Sequence, residues 1–215
     1  MIIVMEGIQG SGKTSIARAL VSESKFRFNL KGVYYHSFES KPSFYNNGLC
    51  RKAFQDVVFA DFLNKVPIDA DFIIFDRSIF SGFVYDKFEK EKTKTGGDKT
   101  IHKDYFQFCL EKFHNGVNGP LVIFYLNTKV NIAQKRFDEN NRPDRLFLDT
   151  SVQYKRFWSY YGNHLSNMGI KLYIYRNDNN ADYVNVLQMA RSEIVRTIKI
   201  TEKRRHDVQS ERESG

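Results

Sequence analysis

Gly7-Ile8-Gln9-Gly10-Ser11-Gly12-Lys13-Thr14 matches the pattern G-x-x-x-x-G-K-[ST] at every position. It follows a short apolar run, Ile2–Met5, and opens a stretch of helical period. This strand–loop–helix setting gives the pattern its meaning. Glycines let the backbone curl until successive N–H groups face inward as an anion nest, and the helix that follows adds its positive end. In such a loop the lysine reaches the β- and γ-phosphates and the threonine offers its hydroxyl to Mg²⁺. Gly7, Gln9, Gly10, Ser11, Gly12, Lys13 and Thr14 are therefore the candidate nucleotide-binding residues, with ATP and Mg²⁺ as the expected cofactors.

Outward from this loop, short apolar runs alternate with longer helical stretches, the pattern of a parallel α/β sheet. Ile2–Met5, Val33–His36, Phe72–Phe75, Leu121–Leu126 and Lys171–Tyr175 read as five strands rich in Val, Ile, Phe and Tyr, as strands covered on both faces require. Helices are expected over Lys13–Ser24, Phe44–Lys65, Ile79–Phe88, Lys103–Asn115, Val130–Asp138, Leu148–Met168 and Ala181–Thr197. Pro42, Pro67, Gly116 and Gly119-Pro120 punctuate them. The expected fold class is α/β: a P-loop NTPase, with a five-stranded parallel sheet sandwiched by helices and a short lid near 138–147. Residues 1–200 read as one domain. Glu89–Thr100 alternates charge around a Gly-Gly pair and reads as a surface loop. The segment from Thr201 carries many charges and one aliphatic residue, so 201–215 is expected to be a frayed or flexible tail.

The chain has 215 residues, room for one sizeable core. Its 33 Lys and Arg against 25 Asp and Glu give a net charge of +8, which suits an anionic partner without choosing one. Two cysteines, Cys50 and Cys109, are too few for a disulfide framework, and five histidines show no metal-ligand spacing. A membrane span needs about 18 consecutive apolar residues, and none is present. The first residues lack the pattern of a signal peptide, so a cytoplasmic setting is expected.

The third strand runs into Asp76-Arg77-Ser78. In a doubly wound sheet the carboxyl ends of the strands line the ligand crevice, which places Asp76 and Arg77 near the phosphates. A carboxylate there holds Mg²⁺ directly or through water, and an arginine clamps a phosphate with parallel hydrogen bonds. A structural alternative has Asp76 capping a helix and Arg77 solvated. Farther on, Asn140-Asn-Arg-Pro-Asp-Arg145 is a polar, Pro-containing loop between two helical stretches, as a closing lid needs.

Three separated pieces resemble the thymidylate kinase family: Glu6–Thr14 its first loop, Phe75–Gly82 its Asp-Arg segment and the serine that follows, and Arg136–Tyr161 its lid and long helix. The resemblance implies transfer of the ATP γ-phosphate to a deoxynucleoside monophosphate, most simply dTMP to dTDP. Lys13 and Thr14 would serve ATP and Mg²⁺, Asp76 the metal, Arg77 the acceptor phosphate, and Arg142 and Arg145 the closing lid. A homodimer is also implied. The pattern departs from the family on the acceptor side: Gln9 stands where an acid is usual, Ser78 where tyrosine is usual, and Ser37–Pro42 offers no clean Arg-Glu-Pro.

Deoxynucleoside kinases are the nearest alternative. Their first loop is also preceded by a glutamate, which acts as base toward the sugar 5′-hydroxyl, and Glu6 stands there. A hydroxyl acceptor needs help losing its proton, whereas a monophosphate is already ionised. A polynucleotide 5′-kinase would use the same loop, but no concentrated basic stripe interleaved with aromatics is visible, so long nucleic acid is not an expected partner. A non-catalytic nucleotide-binding protein is the remaining alternative. The expected partner is a small nucleotide substrate, with no membrane.

Overall fold

Ile2–Gly7 forms strand β1 at the centre of a five-stranded sheet whose order is β2-β3-β1-β4-β5. The other strands are β2 (Gly32–His36), β3 (Phe72–Asp76), β4 (Leu121–Asn127) and β5 (Lys171–Arg176), and every neighbouring pair is parallel. Among the described residues the helices with defined bounds are α1 (Lys13–Phe28), α2 (Val130–Glu139) and α3 (Asn180–Glu213). The computed structural model describes residues 1–36, 69–77, 120–140, 152, 155, 158, 162 and 165–213, the side chains of 36, 202, 204–209 and 211–213 excepted. The expected helices Phe44–Lys65, Ile79–Phe88 and Lys103–Asn115, the Glu89–Thr100 loop and the lid beyond Asn140 lie outside these residues.

Alternation along the strands divides the apolar side chains between the two faces. Ile3 and Met5 of β1, Phe72 and Ile74 of β3, and Val122, Phe124 and Leu126 of β4 form one face. Ile16, Ala17 and Leu20 of α1 cover it together with Val186, Leu187, Ala190, Ile194 and Ile198 of α3. The spacing of those helix residues is the 3.6 period that marks a buried stripe. Phe124 is fully buried and stacks on Tyr173 and Tyr175 of β5, with ring centroids 5.4 and 5.7 Å away. Burying such a ring stabilises the fold by about 2–3 kcal/mol. On the opposite face Tyr125 lies 6.4 Å from the ring of Trp158, which is fully buried on the helical stretch before β5. Arg191 of α3 also pairs with Glu23 of α1 across the covering layer.

The expected strands and the observed ones agree in number and place, with differences at the ends. β1, β3 and β4 are buried nearly throughout, but β5 is an edge strand with alternating exposure, and Ile174 is 52% exposed. Coverage on both faces therefore does not extend to β5. Helix α1 continues past Ser24 to Phe28 and stops where Asn29 adopts a left-handed conformation (φ 53°) and returns its N–H to the Ser24 carbonyl. Helix α3 corrects the sequence expectation more strongly. It does not stop near Thr197 but runs through the charged segment to Glu213. No glycine or proline interrupts 180–213, and the Lys, Arg, Glu and Gln residues of the last turns are good helix formers. Asn179 opens this helix by accepting the Asp182 N–H at 2.9 Å. Among the described residues no helix is long and apolar enough to cross a membrane.

Candidate functional site at the carboxyl ends of the strands

The loop between β1 and α1 is shaped by three glycines with positive φ: Gly7 at 141°, Gly10 at 73° and Gly12 at 89°. At all three, close approach adds to the conformational demand, a Cβ on Gly7 lying 2.7 Å from the Leu126 carbonyl oxygen of β4. A Cβ on Gly10 would lie 2.3 Å from the Ala133 carbonyl oxygen of α2, and one on Gly12 2.6 Å from Asn177 Nδ2. The glycines thus let the loop press against α2 on one side and the turn after β5 on the other. Ser11 donates its N–H to the Ile8 carbonyl at 3.2 Å, closing the turn.

Lys13, the first residue of α1, is buried, and its ammonium bonds the carbonyls of Gly7 at 2.9 Å and Ile8 at 2.7 Å and the Ser11 hydroxyl at 3.3 Å. The charge is therefore held at the centre of the loop. The next residue, Thr14, donates its hydroxyl to Asp76 Oδ2. The strand register explains the meeting, because Asp76 of β3 lies beside Met5 of β1, just before the loop begins. Tyr34 of β2 reaches the same oxygen, donating its hydroxyl at 3.1 Å. Burial and the neighbouring Asp76 carboxylate push the Tyr34 phenol up to about 12, so it remains a donor at neutral pH. The Arg18 guanidinium lies 5.6 Å from the centre of the Tyr34 ring, in cation–π range.

Arg77 follows with φ 75°, a conformation rare outside glycine, while its N–H continues the ladder to the Met5 carbonyl at 3.0 Å. Such strain costs about 1–3 kcal/mol and concentrates at functional sites. Glu6 is fully buried and lies in register opposite Tyr125 of β4. By strand alternation it faces away from α1, on the other side of the sheet from Met5. Burial first, and then the Glu6 charge, raise the Tyr125 phenol well above its ordinary value.

A second set of residues braces the loop from behind. The Ser11 carbonyl accepts Asn177 Nδ2 at 2.7 Å and Thr128 Oγ1 at 3.4 Å. The Asn177 carbonyl in turn accepts Thr128 Oγ1 at 3.2 Å and Arg136 Nη1 at 2.9 Å. Gln9 Oε1 and Asn177 Oδ1 are buried with no hydrogen-bond partner among the described residues.

The structure thus gathers Lys13, Thr14 and Asp76 at the loop, puts Arg77 beside them and places Glu6 on the opposite sheet face. Arg142 and Arg145 lie outside the described residues. Sequence reasoning missed Tyr34 and Asn177. Asn177 had one available signal: it is the polar residue immediately after a strand, at the crevice end of the sheet. Tyr34 had none, because its partnership depends on strand order.

No protein-family model matches the chain, and no curated relative does. Solved structures do. A structure of deoxyadenosine kinase from M. mycoides with bound dCTP is 13% identical, covering 89% of this chain and 100% of that one, with a TM-score of 0.54. The same kinase with the products dCMP and a flexible dCDP bound gives 14% identity, the same coverages and a TM-score of 0.58. With bound dATP the identity is 16%, the coverage 93% and 100%, and the TM-score 0.55. What is shared at these identities is the fold: a five-stranded parallel sheet flanked by helices, as in P-loop kinases.

Proposed function

We propose that the chain is an ATP-dependent deoxynucleoside kinase, transferring the γ-phosphate of ATP to a nucleoside 5′-hydroxyl. The observation that carries the reading is Glu6: a carboxylate buried at the end of β1, one residue before the phosphate loop, on the sheet face away from α1. A hydroxyl acceptor needs a base to take its proton and an ionised monophosphate does not, although the thymidylate kinase resemblance includes a glutamate at this position as well. The fold shared with deoxyadenosine kinases supports the same choice over phosphorylation of dTMP, which the sequence motifs alone favour.

In this reading Glu6 takes the proton of the 5′-hydroxyl as its oxygen bonds to the γ-phosphorus. The bond from that phosphorus to the β–γ bridging oxygen breaks, and ADP leaves. Lys13 exchanges loop carbonyls for phosphate oxygens and neutralises charge that grows on them. Thr14 and Asp76 supply hard oxygen donors, too few for a closed protein cage, which fits Mg²⁺, an ion that keeps its waters and binds phosphates. Mg²⁺ would add charge neutralisation on the triphosphate. Arg77 is assigned to the acceptor side, and Arg142 and Arg145 to a lid that closes over the transferring group.

A coupled ATP-consumption assay with Mg²⁺, run over deoxynucleosides and deoxynucleoside monophosphates, tests the proposal. Turnover is expected on at least one deoxynucleoside, and Glu6→Gln should lower its kcat by about 10²–10⁴-fold while ATP affinity holds. Turnover on dTMP with none on any nucleoside overturns it in favour of a monophosphate kinase.

A further inference from the structure

We propose that Tyr34 is a positioning residue for the metal site: its hydroxyl, donated to Asp76 Oδ2, holds the carboxylate against the Thr14 hydroxyl at the phosphate loop. The inference rests on the reading of Thr14 and Asp76 as the Mg²⁺ donors. Three elements meet at a single oxygen atom, since Thr14 lies in the first turn of α1, Asp76 closes β3 and Tyr34 comes from β2. A threonine hydroxyl has one proton and two lone pairs, so Thr14 can donate to Asp76 and still offer a lone pair to a cation. That double duty requires the carboxylate to stay in place, and a second donor from another strand restricts its rotation.

The position of Tyr34 is itself supported. Its β2 register partner is Ile74, two residues before Asp76 on the same strand face, so the ring leans along the sheet toward the carboxylate. The Arg18 guanidinium covers the ring. Partners that orient metal-binding carboxylates are commonly worth 10–100-fold in metal affinity or activity.

The decisive comparison is Tyr34→Phe, which keeps the ring and removes one hydroxyl. Mn²⁺ affinity, read by electron paramagnetic resonance with a saturating non-hydrolysable ATP analogue, should weaken by about tenfold or more. ATP affinity in EDTA should stay within about twofold, and excess Mg²⁺ should restore kcat. Tyr173→Phe is the control, because that phenol is also bonded to a carboxylate, Glu193, far from the loop; it should leave Mn²⁺ affinity unchanged. Equal Mn²⁺ affinity in wild type and Tyr34→Phe overturns the proposal, as does an equal loss in the Tyr173→Phe control. Absence of turnover in the wild type would sink the kinase reading alone, since the Mn²⁺ comparison does not depend on catalysis.

Discussion

Arg77 holds a conformation that an arginine adopts only under compulsion, and its neighbours show where the compulsion comes from. Its N–H must reach the Met5 carbonyl while the chain turns away from Asp76. Arg77→Gly should relieve the left-handed strain and stabilise the fold by about 1 kcal/mol. In a chain of this size that raises Tm by about 2–4 °C. Turnover should fall in the same variant if the guanidinium serves the acceptor, giving the opposed signature of a strained functional residue. Thermal melting beside the coupled assay reads both, and an Arg77→Gly that is active and no more stable would contradict the assignment. Gly10 is the converse case. Ala there meets both a positive φ and a backbone oxygen 2.3 Å away, and backbone cannot swing aside as a side chain can. Gly10→Ala should cost about 2–4 kcal/mol, visible as a lowered denaturant midpoint, and abolish ATP binding.

The tie between β5 and α3 makes a pH-dependent contribution whose sign can be worked out. Glu193 is buried on α3, and although burial raises its carboxyl, bonds from Lys171, Arg196 and Tyr173 outweigh that and hold it below its ordinary value. Lys171 Nζ lies at 2.8 Å from Oε1, Arg196 Nη2 at 2.6 Å from Oε2, and the Thr197 hydroxyl at 3.2 Å from Oε1. A folded pKa below the unfolded one means the stabilisation is complete above the unfolded value, about 4.3, and drains away as pH falls through it toward the folded pKa. Urea denaturation between pH 3 and 7 should show that loss, and Glu193→Gln should flatten the slope below about pH 4.5 while costing about 2 kcal/mol at neutral pH. The same elements show what a sequence reveals. Ile2–Met5, Phe72–Phe75 and Leu121–Leu126 are legible because an unbroken apolar run between turn residues has few uses other than a buried strand. The end of α3 was not legible, because the charges of a solvated helix and those of a loose tail have the same composition. Lys13, Thr14 and Asp76 could be found because each sits at a recognisable junction of strand and loop. Tyr34 could not, because its partner lies 42 positions away and only the folded sheet brings them together, and Asn177, although placed just after a strand, gave no sign of its bond to Ser11, 166 positions away.

Across the molecule the phosphate loop joins parts of the chain that are remote in sequence, and this has a thermodynamic consequence. One carbonyl, that of Ser11, is held by Thr128 after β4 and by Asn177 after β5, while Gly10 abuts α2. A ligand that binds this loop only in the folded protein must therefore stabilise the central strand and both strands on its far side together. At a hundred times its Kd, ATP with Mg²⁺ should add about 2.7 kcal/mol, raising Tm by about 5–10 °C in one cooperative transition. Lys13→Ala should abolish that rise. Asn177 separates bracing from mere burial. Asn177→Ala removes the bond to Ser11 but also deletes the unpaired Oδ1, so its stability cost should be near 1 kcal/mol. Asn177→Asp sets a buried carboxylate against the Ser11 carbonyl and should cost about 3 kcal/mol or more. If the loop is held in its phosphate-binding shape by this brace, the ATP-dependent rise in Tm should shrink in Asn177→Ala even though the protein without nucleotide melts nearly as the wild type does. A full nucleotide response in that variant would mean that the glycines and α2 suffice to shape the loop, and that Asn177 serves only to close the gap between β5 and α1.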